Sequence, residues 1–592
     1  MQHSAANEPA SGGSRVFKGA FHTKNLDDIL AAAKDGEHSL RRSLGPVHVT
    51  LLGIGAIIGA GIFATVGTAA AGDVARLGAG PSLMLSFMIT AVVCAFTALC
   101  YAEFASMVPI SGSAYTYSYA TLGELIAWII GWDLIIEYAV GNVAVAISWA
   151  SYFRSFLGGI GIQFPLWLAT DYRTAAKIPG LYESAPHLFG VPIVFNLLAL
   201  GIVALLTVVL VWGIQESAKF NAGMVIVKII VLLFFVGAAL WFMSPGEMAQ
   251  NWTPFQPNGW NGTLTGAAII FFAYIGFDAV STVAEETKKP SRDIPVGIIA
   301  SLVICTILYV VVAAVFTGLL PYSDLVTKLA TEKAEPLTLA LEHVAPGAVW
   351  VKNIVSFGAV VATTAVLLVF QLGQPRIFFS MARDGLIPQS FARVHPRFRT
   401  PHVTTILTGV AVGVVAAIAN IDEMVDLTNI GTLFAFVLVC IGIPVLRIKD
   451  PNRPRPFRVP LGGFGAWFFP ILGVVSCIGL MVYLPPASWW RFIGWLVLGL
   501  SIYTSYGYTR SVIGSGLGRP SRAPAALKIA SVGFLLCSFG LFVLPHDIPL
   551  AEVVRNAVGD SANHVRSAVA VALVALGGAL ACVGCASSCT QK

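Results

Sequence analysis

The chain has 592 residues, of which 56% are hydrophobic and only 11% charged, with a formal net charge of +6. Soluble domains carry roughly a quarter charged residues, so this composition excludes a globular enzyme on a membrane anchor and points to a polytopic membrane protein. The small positive excess needs no nucleic acid partner, because lysines and arginines that flank membrane spans account for it.

Residues 1–45 are polar and basic, without the apolar core of a signal peptide. They read as a tail. Fourteen spans follow, at roughly 46–72, 81–108, 124–157, 188–212, 219–243, 262–286, 294–320, 348–381, 403–421, 426–447, 463–485, 489–510, 526–545 and 563–586. The short polar run at 109–121 is too brief to cross and reads as an interfacial helix or loop. With the N-terminus inside and the spans alternating, most of the 36 lysines and arginines fall on the inner side. They concentrate in the tail, between Arg376 and Arg399, and between Arg447 and Arg458. This asymmetry places both termini in the cytoplasm.

The first span is unusual. It reads Gly53-Ile-Gly55-Ala-Ile-Ile-Gly59-Ala-Gly61-Ile-Phe63, with four glycines within nine residues of its centre. Glycine weakens a helix and admits backbone conformations that other residues avoid. Unwound backbone at membrane depth is tolerated only where it lines a cavity or is buried in protein. Five helices later comes Phe271-Phe-Ala-Tyr-Ile-Gly-Phe-Asp-Ala-Val280, with Gly276 and Asp278 near mid-span. An acid at that depth is costly unless it faces a cavity or a partner. Two interrupted helices at matching places in two five-helix halves are the mark of an inverted repeat with its substrate site at the breaks. Packing of small residues between helices is the plainer explanation of the same glycines.

Lys228 is the basic residue that fits no loop. It lies about nine residues into its helix, ~13 Å from the start at 1.5 Å per residue, too deep for easy snorkelling. Burial among apolar neighbours disfavours its charged form and would let it load and release a proton. A fixed ion pair with a helix carboxylate is the alternative, and the two are compatible. Glu137 lies mid-span in the third helix, where it would line a pocket or partner Lys228. Glu103, near the inner end of the second helix, reads as structural. Asp278 would brace the break of the sixth, and Glu285 and Glu286 lie at its inner end.

The nine cysteines are mostly scattered singly through the spans. Cys582, Cys585 and Cys589 make a C-x2-C-x3-C run with no His or acidic partner, so no metal site is expected. No G-x-S-x-G, phosphate-binding loop or H-E-x-x-H occurs, and no catalytic residue or cofactor is expected.

Four stretches together carry a resemblance. They are Gly55 to Phe63, Trp132-Asp-Leu-Ile-Ile-Glu-Tyr138, Phe272 to Thr287, and Gly373-Gln-Pro-Arg-Ile-Phe-Phe-Ser-Met-Ala-Arg-Asp-Gly-Leu386. In this order they resemble the cationic amino acid transporter family, within the amino acid–polyamine–organocation superfamily, including its bacterial members. The likeness runs from about residue 40 to about 510.

The resemblance implies an all-α, LeuT-like fold of helices 1–5 and 6–10, with residues 46–447 as the transport core. Residues 448–592 would add helices 11–14 and a short cytoplasmic end. It implies an L-amino acid held between helices 1 and 6 and moved inward by alternating access across a bacterial plasma membrane. A proton would be the coupling ion. By match to the family, the backbone N–H groups of Ala60 and Gly61 would hold the substrate carboxylate, with Gly59 making the bend. The carbonyls of Ile57, Phe272 and Ile275 would receive its ammonium, and the Phe272 ring would close over it. Relatives often carry Ser or Thr where this chain has Ala60, so a hydroxyl contact is lost. Thr363 and Thr364 lie at the depth where relatives meet the substrate side chain. Lys228 stands on the helix where proton-coupled relatives carry a lysine. An uncoupled exchanger or facilitator, and a sensor that binds without transporting, are the competing functions. Whether an accessory subunit or another copy joins the chain is not legible, and the family leaves cationic and small neutral substrates both open.

Overall fold

The computed structural model describes residues 19–26, 44–73, 76–108, 113–213, 218–329, 335–398, 400–517, 519, 524–543 and 564–590. The main elements are α1 (Pro46–Ile57), α2 (Val66–Ala71), α3 (Leu83–Met107), α4 (Ser113–Thr121), α5 (Glu124–Ile135), α6 (Gly141–Gly159), α7 (Leu197–Val211), α8 (Ala218–Phe242) and α9 (Gly259–Ile270). They continue with α10 (Pro290–Gly318), α11 (Pro336–Val344), α12 (Val349–Arg383), α13 (His402–Ile418), α14 (Ile421–Lys449), α15 (Gly462–Val482), α16 (Pro486–Ile502), α17 (Ala525–Val543) and α18 (His564–Thr590). The protein is an all-α membrane protein, apart from one two-stranded hairpin, His187–Leu188 with Val191–Pro192, among the described residues.

Each of the fourteen expected segments contains a helix. Ten helices among the described residues are long and apolar enough to cross a bilayer. Four expected spans hold shorter stretches. The 188–212 segment begins as the hairpin, because Phe189 and Gly190 adopt positive φ (52° and 81°) and turn the chain back. The helix starts only at Leu197, where the Asn196 side chain accepts the Ala199 N–H at 3.0 Å. Likewise α13 stops at Ile418, since Ala419 is extended and Asn420 caps α14 through the Asp422 N–H. The 489–510 segment is α16 followed by a π-helical turn at Tyr503–Gly507. In α18 the apolar stretch is Val569–Val583.

The core is one continuous apolar cluster in which α1, α3 and α10 pack together, α6 lies on α12, and α14 on α15. The pair α17–α18 is a close helical hairpin against α16, with Gly533 and Gly577 at the crossing: a Cβ on Gly577 would stand 2.4 Å from Cys537 N. Among the described residues no group of His, Cys, Asp and Glu is arranged to hold a metal ion.

Polar side chains bolt one end of the bundle. Glu103 on α3 is fully buried and takes a two-pronged pair from Arg447 (2.9 and 2.5 Å), the Val459 N–H (2.8 Å) and the Arg455 guanidinium at 3.5 Å. Removing one partner of a buried pair strands the other charge, at a cost of about 3–5 kcal/mol. Glu103→Ala is therefore expected to lower the detergent melting temperature steeply, whereas the same change at exposed Glu342 leaves it near wild type.

Candidate substrate site between two broken helices

The first helix breaks where glycines remove side chains. The segment α1 ends at Ile57, and Ile58 is extended (φ −74°, ψ 101°) while its N–H still reaches Ile54 O at 2.9 Å. The chain resumes helical geometry at Ala60 and runs through a π-helical turn, Gly61–Thr65, into α2. The N–H groups of Ala60 and Gly61 thus open a helical half of their own. The first N–H groups of a helix lack intrahelical acceptors and sit at the positive end of its dipole.

The sixth membrane segment breaks in register with it. After α9 the chain tightens into a 3-10 turn, Phe271–Tyr274, extends at Ile275 (ψ 135°) and reverses at Gly276 (φ 116°). Only glycine occupies that φ without strain. A Cβ there would also stand 2.9 Å from the Ala56 carbonyl carbon, so the two breaks touch backbone to backbone. The Asp278 carboxylate accepts the Gly276 N–H at 3.3 Å and braces the reversal. From Asp278 to Glu286 the chain continues in 3-10 turns. The Glu286 carbonyl accepts the Leu44 N–H at 3.0 Å, and the Glu285 side chain lies outside the described residues.

Three side chains tie the broken ends to their neighbours. Lys228 on α8 is completely buried and donates from Nζ to the carbonyls of Gly55 (2.6 Å) and Ile58 (3.0 Å). Its ammonium therefore sits at the negative end of α1, where a cation is favoured. Tyr309 on α10 stands 2.9 Å from Ile57 O and 3.1 Å from Ala273 O. Asn429 on α14 donates to the carbonyls of Ala268 (2.9 Å) and Ile269 (3.1 Å). Sequence reasoning missed Tyr309 and Asn429; a hydrogen-bonding group at the depth of an apolar span is the signal that marks both.

Of the residues expected at the site, Ile57, Ala60, Phe272 and Ile275 are all buried at the junction. Gly59 faces Val366 of α12, with 2.7 Å between a notional Cβ and Val366 Cγ2. The space beside Gly61 is filled by the backbone of Ala273, 2.2 Å from a notional Cβ. Thr363 turns its hydroxyl back to Ala359 O (2.7 Å). Thr364 does the same to Val360 O (2.7 Å) and receives the Trp149 indole N–H at 2.9 Å. Glu137 lies buried in a π-helical turn, Ile136–Val140, between α5 and α6. Such turns relocate a side chain relative to a regular helix and are frequent at functional sites. Glu103 stands with its arginines at the bundle end, away from the junction.

The Tyr309 hydroxyl has one proton for two carbonyls, one on each broken helix. Tyr309→Phe removes that shared donor, a loss of about 1–2 kcal/mol for buried carbonyls. The variant is expected to fold, melt a few degrees lower and transport more slowly, as read by detergent melting and proteoliposome uptake.

Two helices break against one another, the half-helix that opens at Ala60 and Gly61 packing on the turn of the sixth segment. A profile described as amino acid permease matches residues 44–502. The chain belongs to the amino acid permease family. It is 46% identical over 491 residues to the branched-chain amino acid permease BcaP of Bacillus subtilis (strain 168), covering 83% of this chain and 98% of that protein. It is 41% identical to the methylthioribose transporter of the same organism, over 83% of this chain and 99% of the relative. The vacuolar cationic amino acid transporter 4 of Arabidopsis thaliana is 37% identical, over 72% of this chain and 67% of its own length. This permease thus has permeases and transporters, not enzymes, as its relatives, and the resemblance seen in its four motifs is to the right superfamily.

Proposed function

We propose that this permease is a secondary transporter that moves an L-amino acid inward across a bacterial plasma membrane by alternating access, driven by a proton. The observation that carries the reading is the junction of the two breaks: N–H groups of Ala60 and Gly61 open one half-helix, and carbonyls of Phe272 and Ile275 lie in the irregular stretch opposite. A substrate carboxylate suits the first and an ammonium the second. A LeuT-like arrangement of two inverted five-helix halves, fourteen spans in all, and cytoplasmic termini belong to the same reading. BcaP supports an amino acid as substrate. Lys228 supports proton coupling, since its amine sits on carbonyls of the broken helix, where losing or gaining a proton would change the hold on that helix.

Purified protein in proteoliposomes tests this. With the lumen more alkaline than the outside, external amino acids should accumulate above their equilibrium level, and a protonophore should collapse the gradient. Accumulation driven only by preloaded internal amino acid would make the protein an exchanger instead.

A further inference from the structure

A second place with opposite charges side by side lies away from the junction. The end of α6, the start of α11 and the first turns of α12 wall a cavity of about 680 Å³. With both termini in the cytoplasm, as proposed above, this end of the bundle faces outward. Arg154, near the end of α6, and Glu335, the residue before α11, both line the cavity. Their side chains pair, Arg154 Nη2 to Glu335 Oε1 at 3.3 Å, and the Thr338 hydroxyl donates to Glu335 Oε2 at 3.1 Å. Glu335 is buried, while the Arg154 side chain keeps 24% of its surface open. The place is next to the first break. Helix α11 packs on the π-helical turn Gly61–Thr65 and on α2. Two residues before Arg154, the Tyr152 hydroxyl donates to Phe63 O of that turn.

A charge-assisted N–H···O bond is usually about 2.7–2.9 Å long, so the Arg154–Glu335 contact is a loose one. Partly exposed ion pairs contribute little, and a ligand that shares their charges gives up little. A guanidinium offers five N–H donors in a fork that matches a carboxylate, and a carboxylate accepts from an ammonium. The two charged groups of an L-amino acid sit on one carbon. They can therefore lie across the pair, each against its opposite. Ile162, Leu339 and Val349 add apolar surface for a side chain. The remaining ionisable side chains of the cavity are Lys328, Lys352, Glu342 and His343, and Lys352 donates to Glu342 at 2.7 Å. Fully basic side chains thus outnumber acidic ones, so a cationic ligand meets net repulsion and a neutral one does not.

We propose that this cavity is an entry site where a neutral L-amino acid docks before it reaches the junction, its carboxylate on Arg154 and its ammonium on Glu335. The proposal rests on the amino acid transport reading and on its orientation.

The probe is labelled L-leucine, presented to the outward face of proteoliposomes. Arg154→Gln is expected to raise KM about tenfold, the loss of one charge-assisted contact, and to leave kcat within about twofold. Arg154→Lys, which keeps the charge but not the fork, should fall between. A tie that only held α11 in place would lower kcat and melting temperature instead. A wild-type KM in Arg154→Gln overturns the proposal. Lys328 is exposed, so Lys328→Glu serves even if the arginine variants do not fold. It should strengthen inhibition of leucine uptake by external L-arginine about threefold at low salt, with the gain fading at high salt. Unchanged inhibition overturns the neutral-ligand site. If wild type moves no leucine at all, the transport reading fails, and equilibrium binding to purified protein reads the site. Leucine binding weaker in Arg154→Gln than in wild type then supports it, and equal binding, or none to wild type, overturns it.

Discussion

Lys228→Ala is expected to abolish uptake driven by a pH gradient. The amine lies among apolar residues of α8, yet holds the carbonyls of Gly55 and Ile58 at the end of α1. Two effects therefore oppose each other. Desolvation favours the neutral amine, while the helix end and its carbonyls favour the ammonium. On the proposed reading, a rearrangement that moves α1 away from α8 would shift the balance and release a proton. Alanine removes both the proton and the tie, so accumulation should fall to the equilibrium level, while exchange of labelled for unlabelled substrate is weakened but measurable. Lys228→Arg separates the two roles. Arginine supplies donors for the carbonyls but stays protonated at any accessible pH. It should preserve thermal stability better than alanine and still fail to concentrate substrate. Accumulation by Lys228→Ala under an imposed gradient would make the lysine a structural tie and leave coupling to other groups.

The features legible in the sequence were those that break a local rule. Glycines at 53, 55, 59 and 61 are out of place in a membrane helix, and the helix does break between Ile58 and Ala60. Gly276 beside an acid marked the second break, and a lysine in an apolar run marked the tie to the first. Tyr309 and Asn429 broke no such rule, since a tyrosine or asparagine in a span has many uses, and only the packing of α10 and α14 gives these two theirs. The partner of Lys228 was beyond reach for a related reason. Sequence offers Glu137 as a counter-charge for Lys228, but what meets the amine depends on how the helices are set around one another. The structure turns Lys228 toward the backbone carbonyls of Gly55 and Ile58. Spans were placed well where one apolar run fills one helix, and less well where a turn such as Phe189–Gly190 sits inside a run that still averages as apolar.

Gly61 shows why a residue that lies at a break can still suggest the wrong experiment. Read alone, a glycine at the break leaves room for a ligand, and a larger side chain would block binding in a folded protein. The structure fills that room with protein. A Cβ on Gly61 would lie 2.2 Å from Ala273 Cα, 2.5 Å from its Cβ and 2.8 Å from its N. No side chain can swing aside, because most of the obstruction is the backbone of the opposite break. Forcing extra atoms into a packed interior costs about 1–3 kcal/mol where side chains can adjust, and more where they cannot. Gly61→Ala should therefore already lower the melting temperature markedly, and Gly61→Leu should yield little monodisperse protein on size exclusion. The comparison residue is Gly479 on α15, where a Cβ meets nothing within 4 Å. Gly479→Ala should melt at or above the wild-type temperature, because alanine favours a helix by roughly 1 kcal/mol over glycine. If Gly61→Ala instead melts like wild type and loses only substrate binding, the two breaks do not touch in the resting protein, and the glycine serves the ligand directly.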